Sequence, residues 1–239
     1  MIRGNQKKFY KKGIVLWKSL LYRKILPKRM QEYIDCNRQR YIYGDSNILF
    51  FHVPKVAGRS FNFMLYETEY ALHIKAKNYL KFFRRHLNDN FSFAMMRCPL
   101  ERLISSFYFL KSGGTKDCRV DYKKIYNSEA FNSIETFIEY YLGKDGDLSL
   151  DHVLTPQYHY FSESDNILVD HIGILDRVDL TLNILNKYSV KNFNLPYKNK
   201  NIYTHKMQLS KRHKDMIKRI YARDLEIYNK LKSDNEYKS

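Results

Sequence analysis

Ile48-Leu49-Phe50-Phe51-His52-Val53-Pro54-Lys55-Val56-Ala57-Gly58-Arg59-Ser60-Phe61 decides the fold. An apolar run stops at Pro54. A lysine follows, then the small residues Ala57 and Gly58, and Ser60 opens a helical pattern. This order predicts a strand, a tight loop and a helix N-terminus. Backbone N–H groups at a helix start lack partners within the helix and bind anions, and Lys55 adds a positive charge beside them. The stretch is a candidate phosphate or sulfate cradle. It differs from the loop of nucleotide triphosphatases, whose lysine comes late in Gly-x-x-x-x-Gly-Lys and is followed by a metal-binding hydroxyl. Here the lysine comes first, directly after the strand.

A second unit has the same punctuation. Phe91-Ser92-Phe93-Ala94-Met95-Met96 is followed by Arg97, Cys98, Pro99 and a helical run to Leu110. The apolar run predicts a buried strand of the parallel type. Pro99 suits the first turn of a helix, and Gly113-Gly114 suits its end. Arg97 then stands at a strand's carboxyl end, where a guanidinium can fork onto phosphate oxygens. Ser105 lies about two turns into the following helix and offers a hydroxyl to the same group. A third strand is predicted at Ile167–Gly173, with a helix from about Val178 to Tyr188 behind it. Further helices are predicted at about 60–70, 133–142 and 210–231, and a short strand at Leu72–Ile74. Residues 112–128 read as a polar loop and 190–204 as irregular. Strands alternating with helices predict an α/β sheet, mostly parallel, that binds ligands at the carboxyl ends of its strands.

The chain has 239 residues, 44% of them hydrophobic, enough for one compact domain. Its net charge of +17 implies a polyanionic partner: nucleic acid, acidic lipid, a phosphorylated cofactor or an acidic glycan. Cys36, Cys98 and Cys118 form no Cys-x-x-Cys pair, so they read as reduced thiols rather than a metal template. No apolar run is long enough to cross a bilayer, and no signal peptide opens the chain, so a cytoplasmic location is expected. Residues 1–40 carry twelve Lys+Arg against two Asp+Glu and read as a basic N-terminal helical segment, with 41–239 as a single domain. Ile14, Val15, Trp17, Leu20, Leu21 and Ile25 give this segment an apolar face. Two readings stand: a helix docked on the domain with solvated lysines, or peripheral membrane contact through residues 1–30.

His52-Val53-Pro54-Lys55-Val56-Ala57-Gly58-Arg59-Ser60 resembles the 5′-phosphosulfate loop of carbohydrate sulfotransferases that use 3′-phosphoadenosine 5′-phosphosulfate (PAPS). The usual family form is His-Ile-Pro-Lys-Thr-Gly-Gly-Thr-Ser, and this chain departs from it at Val56, Ala57 and Arg59. Arg97-Cys98-Pro99, Arg102, Ser105 and Phe107-Tyr108 resemble the family's 3′-phosphate motif, Arg-Asp-Pro-x-x-Arg-x-x-Ser-x-Tyr, with Cys98 in place of aspartate and the tyrosine one position later. Looser likenesses follow at His152 to Pro156-Gln157, at Asp170–Gly173 with Asp176, at Leu195-Pro196 with Asn199-Lys200, and at Tyr221–Tyr228.

The resemblance runs from about residue 48 to 232 and is closest to the bacterial and Golgi glycan branch, including heparan 2-O-sulfotransferase-like members. It implies a P-loop-like three-layer domain with a mostly parallel central sheet flanked by helices. The implied reaction moves a sulfuryl group from PAPS to a hydroxyl of a saccharide in a capsular polysaccharide, a lipopolysaccharide or a related glycan, and releases 3′,5′-adenosine bisphosphate. No metal is implied. Lys55, Val56, Ala57, Gly58, Arg59, Ser60 and Phe61 would hold the phosphosulfate, and Arg97 and Ser105 the 3′-phosphate. Lys55 would also stabilise the leaving phosphate. A general base must take the acceptor proton. His86 is the first candidate, because related members place a histidine ahead of the second strand; Glu67, Glu69 and His152 are the alternatives. His52 is expected to be structural, its ring bonded to backbone. Two competing classes are a basic nucleic-acid-binding protein and a phosphotransferase on the same scaffold. No helix-turn-helix, zinc finger or RNA-recognition motif supports the first, so a nucleic-acid partner is not expected. The second lacks the metal-binding hydroxyl after the loop lysine.

Overall fold

The computed structural model describes residues 25–68, 70, 72–114, 128–142, 148, 151–189, 192–194 and 209–236. Glu69, Cys118, the apolar positions between 14 and 21, and the Leu195-Pro196 and Asn199-Lys200 likeness lie outside the described residues. The chain divides into two compact units, 1–42 and 43–239.

The first unit contributes most of helix α1 (Lys28–Tyr43). In it Cys36 and Gln39 are buried, while Met30, Tyr33 and Tyr41 are exposed.

The second unit begins its sheet with β1 (Ile48–Phe51), followed by helices α2 (Gly58–Tyr66) and α3 (Ala76–Asn88). Strand β2 (Phe91–Met96) and helix α4 (Pro99–Lys111) come next. After a 3₁₀ turn (Glu129–Phe131), α5 (Ile134–Phe137) runs into a π-helical stretch (Ile138–Leu142). Helix α6 (Tyr158–Phe161) leads into the hairpin β3 (Ser162–Glu163) and β4 (Asn166–Ile167). Strand β5 (His171–Ile174), α7 (Val178–Leu185), α8 (Lys211–Ile220) and α9 (Ala222–Glu236) complete it.

Three strands form a parallel sheet in the order β1-β2-β5. Phe51 stands level with Ala94, and Met96 with Ile174, so all three strands end on one side. Leu49, Phe50, Phe93, Ala94, Met95 and Met96 are fully buried, as expected for a sheet covered on both faces. The Phe50 and Phe93 rings stack across the strands at 4.8 Å. Tyr66 covers the outer edge of β1. Its hydroxyl donates to Ile48 O at 3.0 Å and accepts from the Phe50 N–H at 2.9 Å. A side chain thus takes the place of a fourth strand's ladder groups there. One Asp170 carboxylate oxygen accepts the Ser92 N–H and hydroxyl, at 2.8 and 2.7 Å, and pins the start of β5 to β2. A second core forms where α4 meets Phe131, Phe137, Ile138, Val153, Leu154, Ile217 and Tyr221.

The structure corrects several local expectations. The third strand starts at His171; Asn166 and Ile167 pair instead with Glu163 and Ser162 in the antiparallel hairpin. Leu72–Ile74 forms no strand, and α3 occupies the basic, aromatic segment behind it. The C-terminal helix breaks at Tyr221 (φ −106°, ψ 31°), whose buried hydroxyl donates to Leu154 O at 2.8 Å. Anchoring that phenol in the core wins over helical continuity.

One consequence of this topology positions the site. Parallel strands require α3 to run back against the sheet. Its first turn therefore lies at the carboxyl ends of the strands, and its last turn returns to their amino ends.

Candidate active site

The cradle follows β1. Lys55 (φ 72°) and Ala57 (φ 61°) both adopt the left-handed conformation without being glycine. Each such residue stores roughly 1–3 kcal/mol of strain, a cost associated with functional loops. The conformation turns successive N–H groups into a concave row that suits an anion. Ala57 caps α2 with no side-chain hydrogen bond, so no side chain of the cap competes for the first amides of the helix. Val56 and Phe61 are fully buried and Ser60 nearly so, which anchors the loop from below; Ala57 is exposed and Arg59 half-buried.

Gly58 is required at its position. A Cβ there would lie 1.7 Å from Nε2 and 1.8 Å from Cδ2 of His52. The His52 ring therefore lies directly beneath the start of α2. His52 is structural, as expected, but its role is packing: its Nδ1 is buried with no hydrogen-bond partner. Burial, then the neighbouring His152 and Lys55, hold its pKa down to about 3.

Helix α4 presents one face to the cradle. Residues three and seven apart share a face. Arg102 Nε donates to Pro54 O at 3.0 Å, and Lys55 Nζ rests 4.3 Å from the centroid of the Phe109 ring. Ser105 lies between these two contacts on the same face and is buried.

Arg102 itself does not serve as a phosphate ligand or pair with Glu101. It is 2% exposed, and its other donors reach Val153 O at 3.0 Å and Thr155 O at 2.8 Å. It works as a strut tying the cradle to residues 153–155. Burial lowers its pKa, and the charges of Tyr221, Asp224 and Tyr160 oppose that effect. The same segment is clamped by Tyr160 OH on His152 O and Tyr221 OH on Leu154 O, both at 2.8 Å.

Arg97 stands just past β2, beside the cradle at the same end of the sheet. Gln157 grips its backbone twice: Oε1 accepts the Arg97 N–H at 3.0 Å, and Nε2 donates to Arg97 O at 2.9 Å. Gln157 is buried, and the Asp224 carboxylate accepts the Gln157 and Tyr158 N–H groups at 2.8 and 2.9 Å. Burial raises the Asp224 pKa, and these amide bonds and Arg102 oppose that rise. The Arg97 Nε donates to Glu101 at 3.1 Å, one helical turn on, with the arginine side chain only 11% exposed. Glu101 is the one acidic partner of Arg97 among the described residues, which leaves the Nη donors for a ligand. Cys98 is a free thiol at the cap of α4 and makes no side-chain cap bond.

The structure does not bring His86 to this site. It lies on the last turn of α3, hydrogen-bonded to the Tyr79 hydroxyl at 2.9 Å and stacked on Tyr43. Asn90, just ahead of β2, donates its Nδ2 to His86 O at 2.7 Å, so His86 lies by the amino end of that strand, away from the cradle. Glu67 is exposed at the far end of α2.

Another histidine occupies the site instead. His73 precedes α3, and its Nδ1 lies 3.2 Å from His52 O. A carbonyl only accepts, so Nδ1 carries the hydrogen and Nε2 of the neutral ring is an open proton acceptor. Burial, followed by His52 and His152, keeps the His73 pKa well below the ordinary value, so the ring is neutral at pH 7. The His73 ring lies 4.3 Å from that of His52 and 4.7 Å from that of His152, tilted by 42° and 35°. His152 Nδ1 pairs with Asp151 at 3.0 Å, and its side chain is 48% exposed. The three rings pack in a tilted row, and among the described residues no group of His, Cys, Asp and Glu is arranged to hold a metal ion.

Residues 38–231 match the family model described as "Sulfotransferase family". No curated protein and no solved structure matches the chain.

Proposed function

We propose, from the premise that this chain belongs to the sulfotransferase family, that it transfers a sulfuryl group from PAPS to a hydroxyl of a saccharide acceptor. The observation that carries this reading is that the Lys55 cradle and Arg97 both follow the carboxyl ends of neighbouring parallel strands, β1 and β2. A ligand with anionic groups at two ends fits that pair. Gly58 lets the His52 ring pack directly beneath the loop and so sets the position of the first amides of α2.

PAPS supplies the sulfuryl group and departs as 3′,5′-adenosine bisphosphate. Lys55 and the first amides of α2 hold the phosphosulfate oxygens and offset the charge that grows on them. Arg97 and Ser105 hold the 3′-phosphate. His73 Nε2 accepts the proton of the acceptor hydroxyl, with Nδ1 fixed by His52 O. The finer description as a P-loop-like, three-layer domain belongs to the same reading and is supported by the strand–loop–helix order at 48–66.

Calorimetry with 3′,5′-adenosine bisphosphate tests the reading. Wild type should bind, and Lys55→Ala and Arg97→Ala should each weaken binding by roughly 2–3 kcal/mol, the scale of a charged hydrogen bond. Radiolabelled sulfate should then pass from PAPS to a polysaccharide in an acceptor screen. A wild-type protein indifferent to the bisphosphate would end the proposal.

A further inference from the structure

We infer that helix α1 docks this protein on an anionic lipid surface. Apart from Lys28 at the first position, the exposed residues of α1 are Arg29, Met30, Tyr33, Asn37, Arg40 and Tyr41. At 3.6 residues per turn these six fall within an arc of about 120°. Met30 is 51% exposed, Tyr33 48% and Tyr41 51%, and Ile25, just ahead of the helix, is 68% exposed. The buried Cys36 and Gln39 lie outside the arc, Cys36 next to its Arg29 edge. Glu32 and Asp35 lie off the arc, and Asp35 pairs with Arg38 at 3.5 Å. The arc therefore carries two arginines and no carboxylate.

This combination suits a lipid headgroup region. Tyrosine and methionine place an apolar body below the surface, with the phenol tip in the wet layer. Arginine stems lie along the apolar zone while the guanidinium reaches phosphate. Charge agrees: residues 1–40 carry twelve Lys+Arg against two Asp+Glu. Each basic residue near an anionic leaflet raises affinity roughly fivefold. The apolar component favours lipid over nucleic acid, whose phosphate backbone gives Met30 and Ile25 nothing to bury against. The partner class is a membrane whose surface carries phosphate-bearing, net negative lipids.

Cosedimentation of the full chain with vesicles tests this. The protein should sediment with phosphatidylcholine–phosphatidylglycerol vesicles, remain in the supernatant with phosphatidylcholine alone, and be released by high salt. The Met30→Ser/Tyr33→Ser/Tyr41→Ser variant should bind on the order of tenfold more weakly, and Arg29→Gln/Arg40→Gln by a similar factor. Circular dichroism melts of both variants separate lost binding from lost fold. Sedimentation that ignores lipid charge, or wild-type affinity in both variants, overturns the inference. So does an oligonucleotide that strips the protein from vesicles and is itself lost to the same variants; that result would assign the arc to nucleic acid. The readout involves no sulfuryl transfer, so it stands or falls separately from the proposed reaction.

Discussion

Placing a methyl group at Gly58 should collapse the cradle through a single contact. The added Cβ would sit 1.7 Å from His52 Nε2 and 2.5 Å from Cε1. An unstrained contact is about 3.5–4 Å, so ring and loop must separate by about 2 Å. The ring cannot yield easily. His52 is 6% exposed, with the His73 ring tilted against it at 4.3 Å and the Phe50 ring stacked on it at 5.7 Å. Overpacking of this kind typically costs about 1–3 kcal/mol, and an overlap this deep belongs at the upper end. In a chain of this size about 3 kcal/mol lowers the melting temperature by about 6–12 °C. Affinity for 3′,5′-adenosine bisphosphate should fall at least about tenfold, because the amides that line the loop move with it. A double-mutant cycle isolates the cause. His52→Ala alone costs about 2–4 kcal/mol for the cavity. If the ring is the obstacle, Gly58→Ala should add almost nothing in the His52→Ala background, a coupling of about 3 kcal/mol. Calorimetric melts and nucleotide titration of the four proteins measure it. Additive losses, or a Gly58→Ala protein indistinguishable from wild type, would refute the reasoning.

His73→Gln should lower kcat by roughly 10²–10⁴ while leaving bisphosphate affinity intact, whereas His86→Gln should leave kcat close to wild type; a sulfate-transfer assay giving the reverse order would return the base to His86. His52, held at about pKa 3, and His73, also lowered, are neutral when folded but protonate in the unfolded chain below pH 6.5. Stability is therefore full above pH 6.5 and lost as pH falls toward 3, with His52 alone accounting for about 3 kcal/mol by pH 4; urea melts should show that slope, and it should shrink in His52→Ala. Arg102→Leu strips buried carbonyls at Pro54, Val153 and Thr155 of a donor. It should cost about 3–5 kcal/mol, the scale of breaking a buried charged network, and wild-type stability in a melt would contradict the strut role.

The fold was readable where punctuation is strong. Pro54, Pro99 and the glycine pair bracket β1, β2 and α4, and those elements lie where the sequence puts them. The cradle and Arg97 could be read for the same reason: short-range order fixes them to strand ends. The misreading of His86 has a topological cause. A residue just ahead of a strand lies at the strand's amino end, opposite the ligand side, while one just ahead of the returning helix lies on it. Applied to α3, that rule points to His73 rather than His86, but it requires α3 to be recognised as a helix, which its apolar positions Ala76, Tyr79, Leu80, Phe83 and Leu87 do mark at helical spacing among many basic residues. Arg102 was ambiguous because a helical arginine near Glu101 ordinarily forms a surface pair. Only the distant carbonyls of 153–155 reveal its burial. The break at Tyr221 likewise depends on Leu154, 67 positions away.

Gln157 lies 60 positions after Arg97, and Asp224 a further 67 after Gln157. During synthesis, the strand-loop-helix pieces that would hold the nucleotide therefore leave the ribosome well before the aspartate that braces them, an interval on the order of ten seconds. Until α9 emerges, the Gln157 and Tyr158 N–H groups lack the carboxylate that accepts them, and the grip on Arg97 goes unbraced. A nascent chain stalled short of residue 224 should thus display a finished cradle beside an unfinished grip, and the last helix acts as the keystone set once the arch is standing.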